Sequence, residues 1–438
     1  MSSLNAMLKY DEYKDSGVDW LGDIPAHWNQ RPLLTLCELK SEVNHEDKEL
    51  LSVYLDKGVV RFSDVDAKRT NATSSDLSKY QLVEQGDFVL NNQQAWRGSV
   101  GVSKHTGIVS PAYLVLSLSK EIDPRYANYL FRDGAMVAHY LVCSKGVGTI
   151  QRNLYWPQLK RVPVSLPSEA EQVSIANFLD EKSAQLDQAI AIKEQQVALL
   201  KERKQIIIQQ AVTQGVNPDT PMKDSGVDWI GKIPEHWNTK RLRYLGTTQN
   251  GISAGAEYFG SGEPFVSYGD VYRNRQLPEE VTGLAKSSEA DQNLYSVSSG
   301  DVLFTRTSET IEEIGFASVC FKTIEKATFA GFLIRFRPTT KALTKEFSKY
   351  VLNAPMLRDY FVKEMNLVTR ASLGQELLKD MTVVLPPKEE QLQIFEYLEK
   401  KSKQIDSAIE LQQQQIEKLK EYKATLINAA VTGKIKVA

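Results

Sequence analysis

The sequence is poor in cysteine and histidine and has no long apolar run. Its three cysteines, Cys37, Cys143 and Cys320, are scattered over 438 residues, which excludes a disulfide framework and predicts a reducing, cytoplasmic location. With five histidines in the whole chain, a structural zinc cluster is not expected. No stretch approaches the roughly 20 apolar residues of a membrane-spanning helix, and residues 1–19 lack the features of a secretory signal. We therefore expect neither a metal site nor a membrane partner.

An excess of positive charge is missing as well. Lysine and arginine number 53 against 55 aspartate and glutamate residues, for a net charge of −2. A surface that binds nucleic acid would therefore be local or completed by another chain. The length allows two to four domains at roughly 150 residues each.

The chain contains two copies of one layout. Residues 15–28 read DSGVDWLGDIPAHW, and residues 224–237 read DSGVDWIGKIPEHW. A second pair of similar segments begins with LPSEAEQVSIANFLDEKSAQLDQAI at Leu166 and LPPKEEQLQIFEYLEKKSKQIDSAI at Leu385. Such a repeat indicates two related structural units, each with a start motif, a variable region and a long helix.

This layout predicts six segments. They are a repeat motif over 1–28, a first variable domain over 29–165, a central long helix over 166–216, a linker with the second motif over 217–237, a second variable domain over 238–384 and a distal long helix over 385–438. Strand-like runs over 87–90, 113–118, 302–305 and 331–336, with helical patterns over 126–140 and 347–363, predict a mixed α+β fold for both variable domains.

The central helix is predicted over 170–212, which lack proline and glycine and are rich in helix formers. In both copies apolar residues recur every seven positions, and the same places are interrupted, at Lys193 or Gln412 and at Lys204 or Lys423. This pattern predicts a coiled coil whose polar breaks fix its register; two helices docked separately on their own domains are the alternative. The predicted interface residues are Leu179, Leu186, Ile190, Val197, Leu200, Ile207, Leu398, Ile405, Ile409, Ile416, Leu419 and Leu426.

Motifs for catalysis are incomplete. Residues 226–233 nearly match a phosphate-binding loop but lack its final serine or threonine. Residues 38–40 and 421–423 match only the E-x-K half of a nuclease motif. The sequence has no local signature of a dinucleotide-binding loop or a catalytic triad. The repeated Trp28 and the pair His27 and His236 fit packing and hydrogen bonding better than chemistry. We therefore expect a non-catalytic chain with no metal and no cofactor of its own.

Amides, aromatic rings and cations are concentrated in loops at equivalent places of the two variable domains. Asparagine and glutamine can read adenine and arginine can read guanine, while basic side chains can grip phosphates. For any single residue, a solvated loop is the competing interpretation. The candidate DNA-binding residues are Asn92, Gln94, Trp96, Arg97, Gln151, Arg152, Tyr272, Arg273, Asn274, Arg275, Arg306, Thr307 and Arg370.

From Asp15 to Val437 the arrangement resembles the specificity (S) subunit of Type I restriction–modification enzymes. The two start motifs, the two helix-opening segments, and the closing AVTQG at 211–215 and AVTGK at 430–434 carry the resemblance. It implies an α+β fold in which two similar target-recognition domains are separated by two long antiparallel helices that form a coiled coil, as a pseudo-two-fold internal repeat.

The resemblance also implies a function. Each target-recognition domain would read one half of a bipartite, asymmetric site in double-stranded DNA. The helices would set the spacing and bind two modification (methyltransferase) subunits that methylate adenine, and restriction/translocase subunits would join them. S-adenosylmethionine, ATP and Mg²⁺ would belong to those partners. The alternatives are a coiled-coil scaffold that does not recognise DNA and a stand-alone DNA nuclease.

Overall fold

The computed structural model describes residues 7–19, 21–65, 76–147, 151–308, 314–364 and 371–437. The chain forms two compact units. Unit 1 comprises Met1–Glu194 and Gln414–Ala438, and unit 2 comprises Gln195–Gln413. Both boundaries fall within the long helices, so each unit holds one variable region and a part of each helix.

The strands and short helices of unit 1 precede the first long helix. They are β1 (Tyr13–Asp15), β2 (Asp23–Pro25), β3 (Asn29–Pro32), β4 (Cys37–Lys40), β5 (Leu51–Tyr54), β6 (Gly58–Arg61), β7 (Gln81–Val83), β8 (Phe88–Asn91), β9 (Val100–Val102), β10 (Gly107–Val109), β11 (Tyr113–Leu118), α1 (Pro124–Arg132), α2 (Gly134–Val142), β12 (Ser144–Val147), β13 (Gln151–Leu154), α3 (Trp156–Leu159) and β14 (Pro163–Leu166). The first long helix, α4, spans Glu169–Gln214.

Unit 2 repeats much of this order. Its elements are β15 (Met222–Asp224), β16 (Lys232–Pro234), β17 (Asn238–Arg241), β18 (Gly246–Asn250), β19 (Phe259–Val266), α5 (Tyr268–Arg273), β20 (Leu284–Ala285), α6 (Glu289–Leu294), β21 (Val302–Thr305), β22 (Thr307–Ser308), β23 (Ala317–Val319), β24 (Thr328–Phe329), β25 (Leu333–Pro338), α7 (Lys345–Val351), α8 (Met356–Glu364), β26 (Ala371–Ser372), α9 (Gln375–Asp380) and β27 (Thr382–Leu385). The second long helix, α10, spans Lys388–Val431. Every helix in the described parts of the chain is too short or too polar to cross a membrane.

A four-stranded antiparallel sheet lies at the centre of each unit. The strand order is β4-β11-β8-β9 in unit 1 and β18-β25-β21-β23 in unit 2. The strand β8 or β21 begins after a Gly-Asp turn in which the glycine has a positive φ, 98° at Gly86 and 95° at Gly300. That conformation suits a residue without a Cβ atom. The predicted α+β class and the shared frame of the two variable domains are thereby confirmed.

The helical patterns that the sequence suggests over 126–140 and 347–363 are each broken into two helices. In unit 1 the backbone of Asp133 is extended, and its carboxylate accepts the backbone N–H of Ala135 at 2.9 Å, so it caps a new helix. In unit 2 the break between α7 and α8 contains Pro355, which disfavours a helical conformation at Ala354.

The two long helices pack together in antiparallel orientation. In unit 1 the Lys423 ammonium lies 2.6 Å from the Asp187 carboxylate, and Lys193 donates to Gln415 at 2.5 Å. Residue numbers therefore rise along α4 as they fall along α10. In unit 2 Lys204 donates to Asp406 at 2.7 Å. The polar breaks in the heptad pattern thus carry contacts from one helix to the other.

The residues predicted for the helix interface are buried or half-buried on α4 and α10. The buried ones are Leu179, Ile190, Val197, Leu398, Ile405, Ile409, Ile416 and Leu426. The half-buried ones are Leu186, Leu200, Ile207 and Leu419. In unit 1 Leu179 and Leu426 belong to the same apolar core as the central sheet. The helices are therefore part of the core of each unit.

The start motif attaches the beginning of each long helix. Trp28 is fully buried, and its indole N–H donates to Glu171 in the first turn of α4 at 3.1 Å. Trp237 donates in the same way to Glu390 in the first turn of α10 at 2.9 Å. The imidazoles of His27 and His236 contact the same two carboxylates.

A buried glutamine next to each of these glutamates fastens the variable domain to the helix. The Gln172 side chain accepts the backbone N–H of Asp123 at 2.9 Å and donates to the carbonyl of Glu121 at 3.1 Å. Gln391 accepts the N–H of Thr344 at 2.9 Å and donates to the carbonyl of Ala342 at 2.7 Å. We call this arrangement the glutamine joint.

Candidate nucleic-acid interface

The loop after β8 in unit 1 has a defined backbone. The N–H of Gln94 donates to the carbonyl of Asn91 at 3.0 Å, and the N–H of Ser99 donates to that of Gln94 at 3.3 Å. Residues 95–97 form one turn of 3₁₀ helix with the fully buried Ala95 at its base. The side chains of this loop are therefore presented from a fixed backbone, as recognition requires.

Trp96 is the centre of this loop. Its indole N–H donates to the carbonyl of Gln93 at 2.9 Å, which fixes the ring. The guanidinium carbon of Arg97 lies 4.5 Å from the ring centroid and that of Arg152 lies 5.7 Å away. Both distances suit a cation–π interaction. Trp96 thus holds two cations on one surface.

A hairpin of β12 and β13 completes this surface. The N–H of Leu154 donates to the carbonyl of Asn92 at 3.0 Å, which joins the hairpin to the loop. Lys145 places its ammonium 3.9 Å from the ring centroid of Tyr155, a residue that is 42% exposed. Neither Lys145 nor Tyr155 is among the residues predicted from sequence. We call Asn92, Trp96, Arg97, Lys145, Arg152 and Tyr155 the unit 1 surface.

Two predicted amide residues accompany these cations. The side-chain oxygen of Asn92 is buried and has no hydrogen-bond partner among the described residues, and such an atom requires an explanation. Gln94 is half-buried in the same turn. The backbone of Gln151 lies in β13, whereas its side chain lies outside the described part of the chain.

Unit 2 has a backbone hydrogen bond equivalent to that between Leu154 and Asn92, with different side chains around it. The N–H of Leu373 donates to the carbonyl of Arg306 at 2.7 Å, so Arg306 occupies the place of Asn92. Thr307 follows in β22, which pairs with β26. The Tyr268 hydroxyl donates to the carbonyl of Thr307 at 3.0 Å, and the Tyr268 and Tyr272 rings stack with centroids 5.8 Å apart. The structure therefore brings Arg306, Thr307 and Tyr272 together.

The residues after Tyr272 point in different directions. Arg273 is exposed at the end of α5. The side chain of Asn274 donates to the carbonyl of Asp270 at 2.8 Å, so it gives a partner to a carbonyl group of α5. Burial lowers the pKa of Arg275, and the charges of Tyr350 and Asp406 partly offset that effect. Arg275 thus lies near Asp406 of α10. Arg370 lies outside the described residues.

The described residues give little support for catalysis. No three of their histidine, cysteine, aspartate or glutamate side chains are placed to hold a metal ion. Burial raises the pKa of Cys37 to about 12 and that of Cys320 to about 11, so neither thiol is an activated nucleophile. The stretch resembling a phosphate-binding loop is the turn between β15 and β16, whereas such a loop joins a strand to a helix. Cations, amides and aromatic rings on fixed loops suit binding.

Comparison with known proteins agrees with this picture. Residues 234–421 match the family model described as the Type I restriction modification DNA specificity domain. The chain is 23% identical to the Type I restriction enzyme EcoKI specificity subunit of Escherichia coli K12, covering 89% of this chain and 86% of that protein. It is 22% identical to the putative MjaX specificity subunit of Methanocaldococcus jannaschii, covering 95% and 96%.

Solved structures share the fold. A chain from a study of complex assembly and conformational transition of the Type I R-M system aligns with a TM-score of 0.68 at 16% identity, over 93% of this chain and 98% of that one. The HsdS subunit from Thermoanaerobacter tengcongensis aligns with a TM-score of 0.52 at 16% identity, over 94% and 98%. Residues 234–421 thus match the Type I restriction modification DNA specificity domain, and over most of its length the chain is similar to the specificity subunits of Type I restriction–modification systems.

Proposed function

We propose that each variable domain reads one half of a bipartite, asymmetric site in double-stranded DNA. The observation that carries this proposal is a pair of equivalent backbone hydrogen bonds, from Leu154 to Asn92 and from Leu373 to Arg306. The backbone contact is the same in both units, but the side chains around it differ. Residues that build the frame are repeated, whereas residues in a position to touch bases are not. Two readers of different sequence explain this difference.

The proposed contacts in the first domain are the unit 1 surface with Gln94 and Gln151. In the second domain they are Tyr272, Arg273, Asn274, Arg306, Thr307 and Arg370. Arg275 is the weakest of the predicted contacts because it lies near Asp406 of α10. Arginine and lysine would bind phosphates and position the duplex, while amides and arginine would read base edges in the major groove.

We further propose that α4 and α10 set the distance between the two halves of the site and bind two modification subunits, with restriction/translocase subunits completing the complex in the cytoplasm. The net charge of −2 supports this division of labour, because a chain without an overall positive charge gains little from counterion release on its own. Adenine methylation, with S-adenosylmethionine, and ATP-driven steps, with Mg²⁺, would be the work of those partners.

Exchange of a single domain tests the proposal. Residues 29–165 are replaced by the corresponding domain of a relative, the chain is assembled with its modification subunits, and methylated adenines are mapped by single-molecule sequencing. We expect one half of the site to change and the other half to stay the same. A change in both halves would refute modular reading. Failure of the assembled complex to protect any particular sequence would instead favour a scaffold that does not recognise DNA.

A further inference from the structure

Phe332 in unit 2 is an apolar ring that the fold leaves in solvent. It is 63% exposed, and it lies directly before β25 of the central sheet. An apolar ring in water costs free energy that burial would return. In unit 1 the equivalent residue is Ala112, because Tyr113 pairs with Asn91 in the same register as Leu333 pairs with Thr305. The exposed ring is therefore a property of unit 2 alone.

The backbone around Phe332 is held tightly. The N–H of Ile252 donates to the carbonyl of Phe329 at 2.9 Å, and the N–H of Gly331 donates to the carbonyl of Ile252 at 2.7 Å. A Cβ atom at Gly251 would collide with the carbonyl oxygen of Ala330, and one at Gly331 would collide with the Ser253 hydroxyl. The close approach of these segments requires glycine at both places. The ring is thus exposed on a fixed support.

Phe332 is also next to the proposed DNA contacts of unit 2. The backbone N–H of Arg306 donates to the carbonyl of Phe332 at 2.9 Å. A cation and an apolar ring therefore belong to residues joined by a backbone hydrogen bond, and Thr307 is the next residue along the chain. Phosphates attract the cation. A phenyl ring offers no strong donor or acceptor, and the one apolar group on the major-groove edge of a base pair is the thymine methyl group.

We propose that Phe332 reads a thymine by contact with its C5 methyl group in the half-site of unit 2. This inference rests on the proposed function. It goes further in naming the residue and the base, and it accounts for the difference between Phe332 and its unit 1 counterpart, Ala112. A recognition contact is expected to differ between two domains that read different sequences.

Deoxyuridine, which lacks the methyl group, provides the test. Once domain exchange has assigned one half-site to unit 2, each thymine in that half is replaced singly by deoxyuridine. Binding of the complete complex to these duplexes is measured by gel-shift titration with the unaltered chain, with Phe332→Ala and with Leu294→Ala. Leu294 is an exposed apolar residue at the end of α6, and its variant is the matched control.

We expect one substitution to weaken the unaltered chain and Leu294→Ala about fourfold, the factor that corresponds to burial of one methylene-sized group. The same substitution should leave Phe332→Ala unchanged. If Phe332→Ala binds too weakly to titrate, Phe332→Leu, which keeps a smaller apolar contact, should show a reduced loss at the same position. Equal losses in Phe332→Ala and the unaltered chain at every thymine would overturn the proposal.

Two other results would also overturn it. The first is a half-site without thymine on either strand. The second is weak binding by Phe332→Ala with no effect of deoxyuridine anywhere, which would mean that the ring contacts DNA in another way, such as insertion between base steps. A complex that selects no sequence would refute the proposed function itself, whereas selective binding with the wrong deoxyuridine pattern would refute this inference alone.

Discussion

Lys204 donates to both carboxylate oxygens of Asp406 at 2.7 Å and so links α4 to α10 within unit 2. The repeat of 219 residues relates Lys204 to Lys423 and Asp187 to Asp406, and Lys423 pairs with Asp187 in unit 1 in the same manner. Each helix thus supplies one lysine and one aspartate. Both ion pairs form together only when the helices are antiparallel in this register, so the two pairs favour one alignment of the helices.

A charge exchange at this pair tests its role in register. Asp406→Lys places two ammonium groups together, and we expect it to destabilise unit 2 by about 0.5–1 kcal/mol, the scale of a solvent-exposed pair. The double variant Lys204→Asp with Asp406→Lys should recover most of that loss. Thermal unfolding at low salt and at about 1 M salt measures both effects, and the difference should shrink at high salt. Equal stability of the single and double variants would contradict a specific pair.

The glutamine joint predicts a larger loss of stability than the ion pair does, although Gln391→Leu introduces no charge. Gln391→Leu keeps the approximate volume but leaves the N–H of Thr344 and the carbonyls of Ala342 and Pro386 without their partner. Unpaired buried groups cost roughly 1–3 kcal/mol each, and we expect a total loss of about 2–4 kcal/mol after relaxation. Urea unfolding measures it. Gln393→Leu, at an exposed position two residues along the same helix, is the control and should change little.

The unit 1 surface predicts a change in the salt dependence of DNA binding. Arg97→Ala and Arg152→Ala should each weaken binding of the assembled complex and reduce the slope of log K against log salt by about 1, as loss of one phosphate contact does. Trp96→Ala should weaken binding too, because both cations lose the ring that they contact.

Lys120→Ala is the matched control for those variants. Lys120 is an exposed cation two residues after Leu118, where β11 ends. The loop of the unit 1 surface follows Asn91, which pairs with Tyr113 at the opposite end of β11. The control should therefore keep the original slope. An unchanged slope in Arg97→Ala and Arg152→Ala would remove these residues from the interface.

Glu399 predicts a pH dependence of stability. Burial alone would raise its pKa, but hydrogen bonds from Lys349 at 2.6 Å and Tyr350 at 2.8 Å and the lysine charge leave the pKa below its ordinary value. A lowered pKa stabilises the fold above the ordinary glutamate value, and that contribution is lost as pH falls through the native pKa. Glu399→Gln should therefore lower Tm at pH 7 but much less below pH 4.

A parallel measurement on Glu396→Gln serves as the control, since Glu396 is exposed three residues earlier on α10. Its melting temperature should follow that of the unaltered chain across the pH range. If Glu399→Gln lowered Tm equally at pH 7 and pH 3.5, the loss would have to come from packing, and ionisation of Glu399 would contribute nothing.

The proposed spacing role of the helices predicts the effect of lengthening them. Insertion of one heptad into both helices, after Glu194 and after Gln413, preserves the repeat of seven and adds about 10 Å of helix. That length corresponds to roughly three base pairs, and we expect the unread spacer to widen accordingly in the methylation map. Insertion into one helix alone should disrupt pairing. An unchanged spacer after the double insertion would contradict the proposal.

The long helices could be predicted from sequence almost to the residue, since α4 was expected over 170–212 and spans Glu169–Gln214. Repetition every seven residues is a local signal. The partner of Lys204 could not be predicted in the same way, because the pairing of Lys204 with Asp406 depends on the alignment of segments 202 residues apart. The breaks at Asp133 and Pro355 were missed because the apolar pattern continues across both.

Local sequence indicates only some of the residues that the structure places together at the candidate interface. The loop from Asn92 to Arg97 stood out because amides, an aromatic and a cation are adjacent in sequence. Lys145 and Tyr155 are ten residues apart on a hairpin, and nothing local shows that the ammonium will lie over the ring. Arg275 was grouped with Arg273 by adjacency, but residues leaving a helix end point in different directions, and Arg275 lies near Asp406 of α10.

The glutamine joint binds the variable domains through their main chain. Gln172 contacts the N–H of Asp123 and the carbonyl of Glu121, and Gln391 contacts the N–H of Thr344 and the carbonyl of Ala342. Every amino acid except proline supplies both of these groups. A variable domain with a different sequence can therefore make the same contacts with the long helix, without any compensating mutation at the glutamine joint.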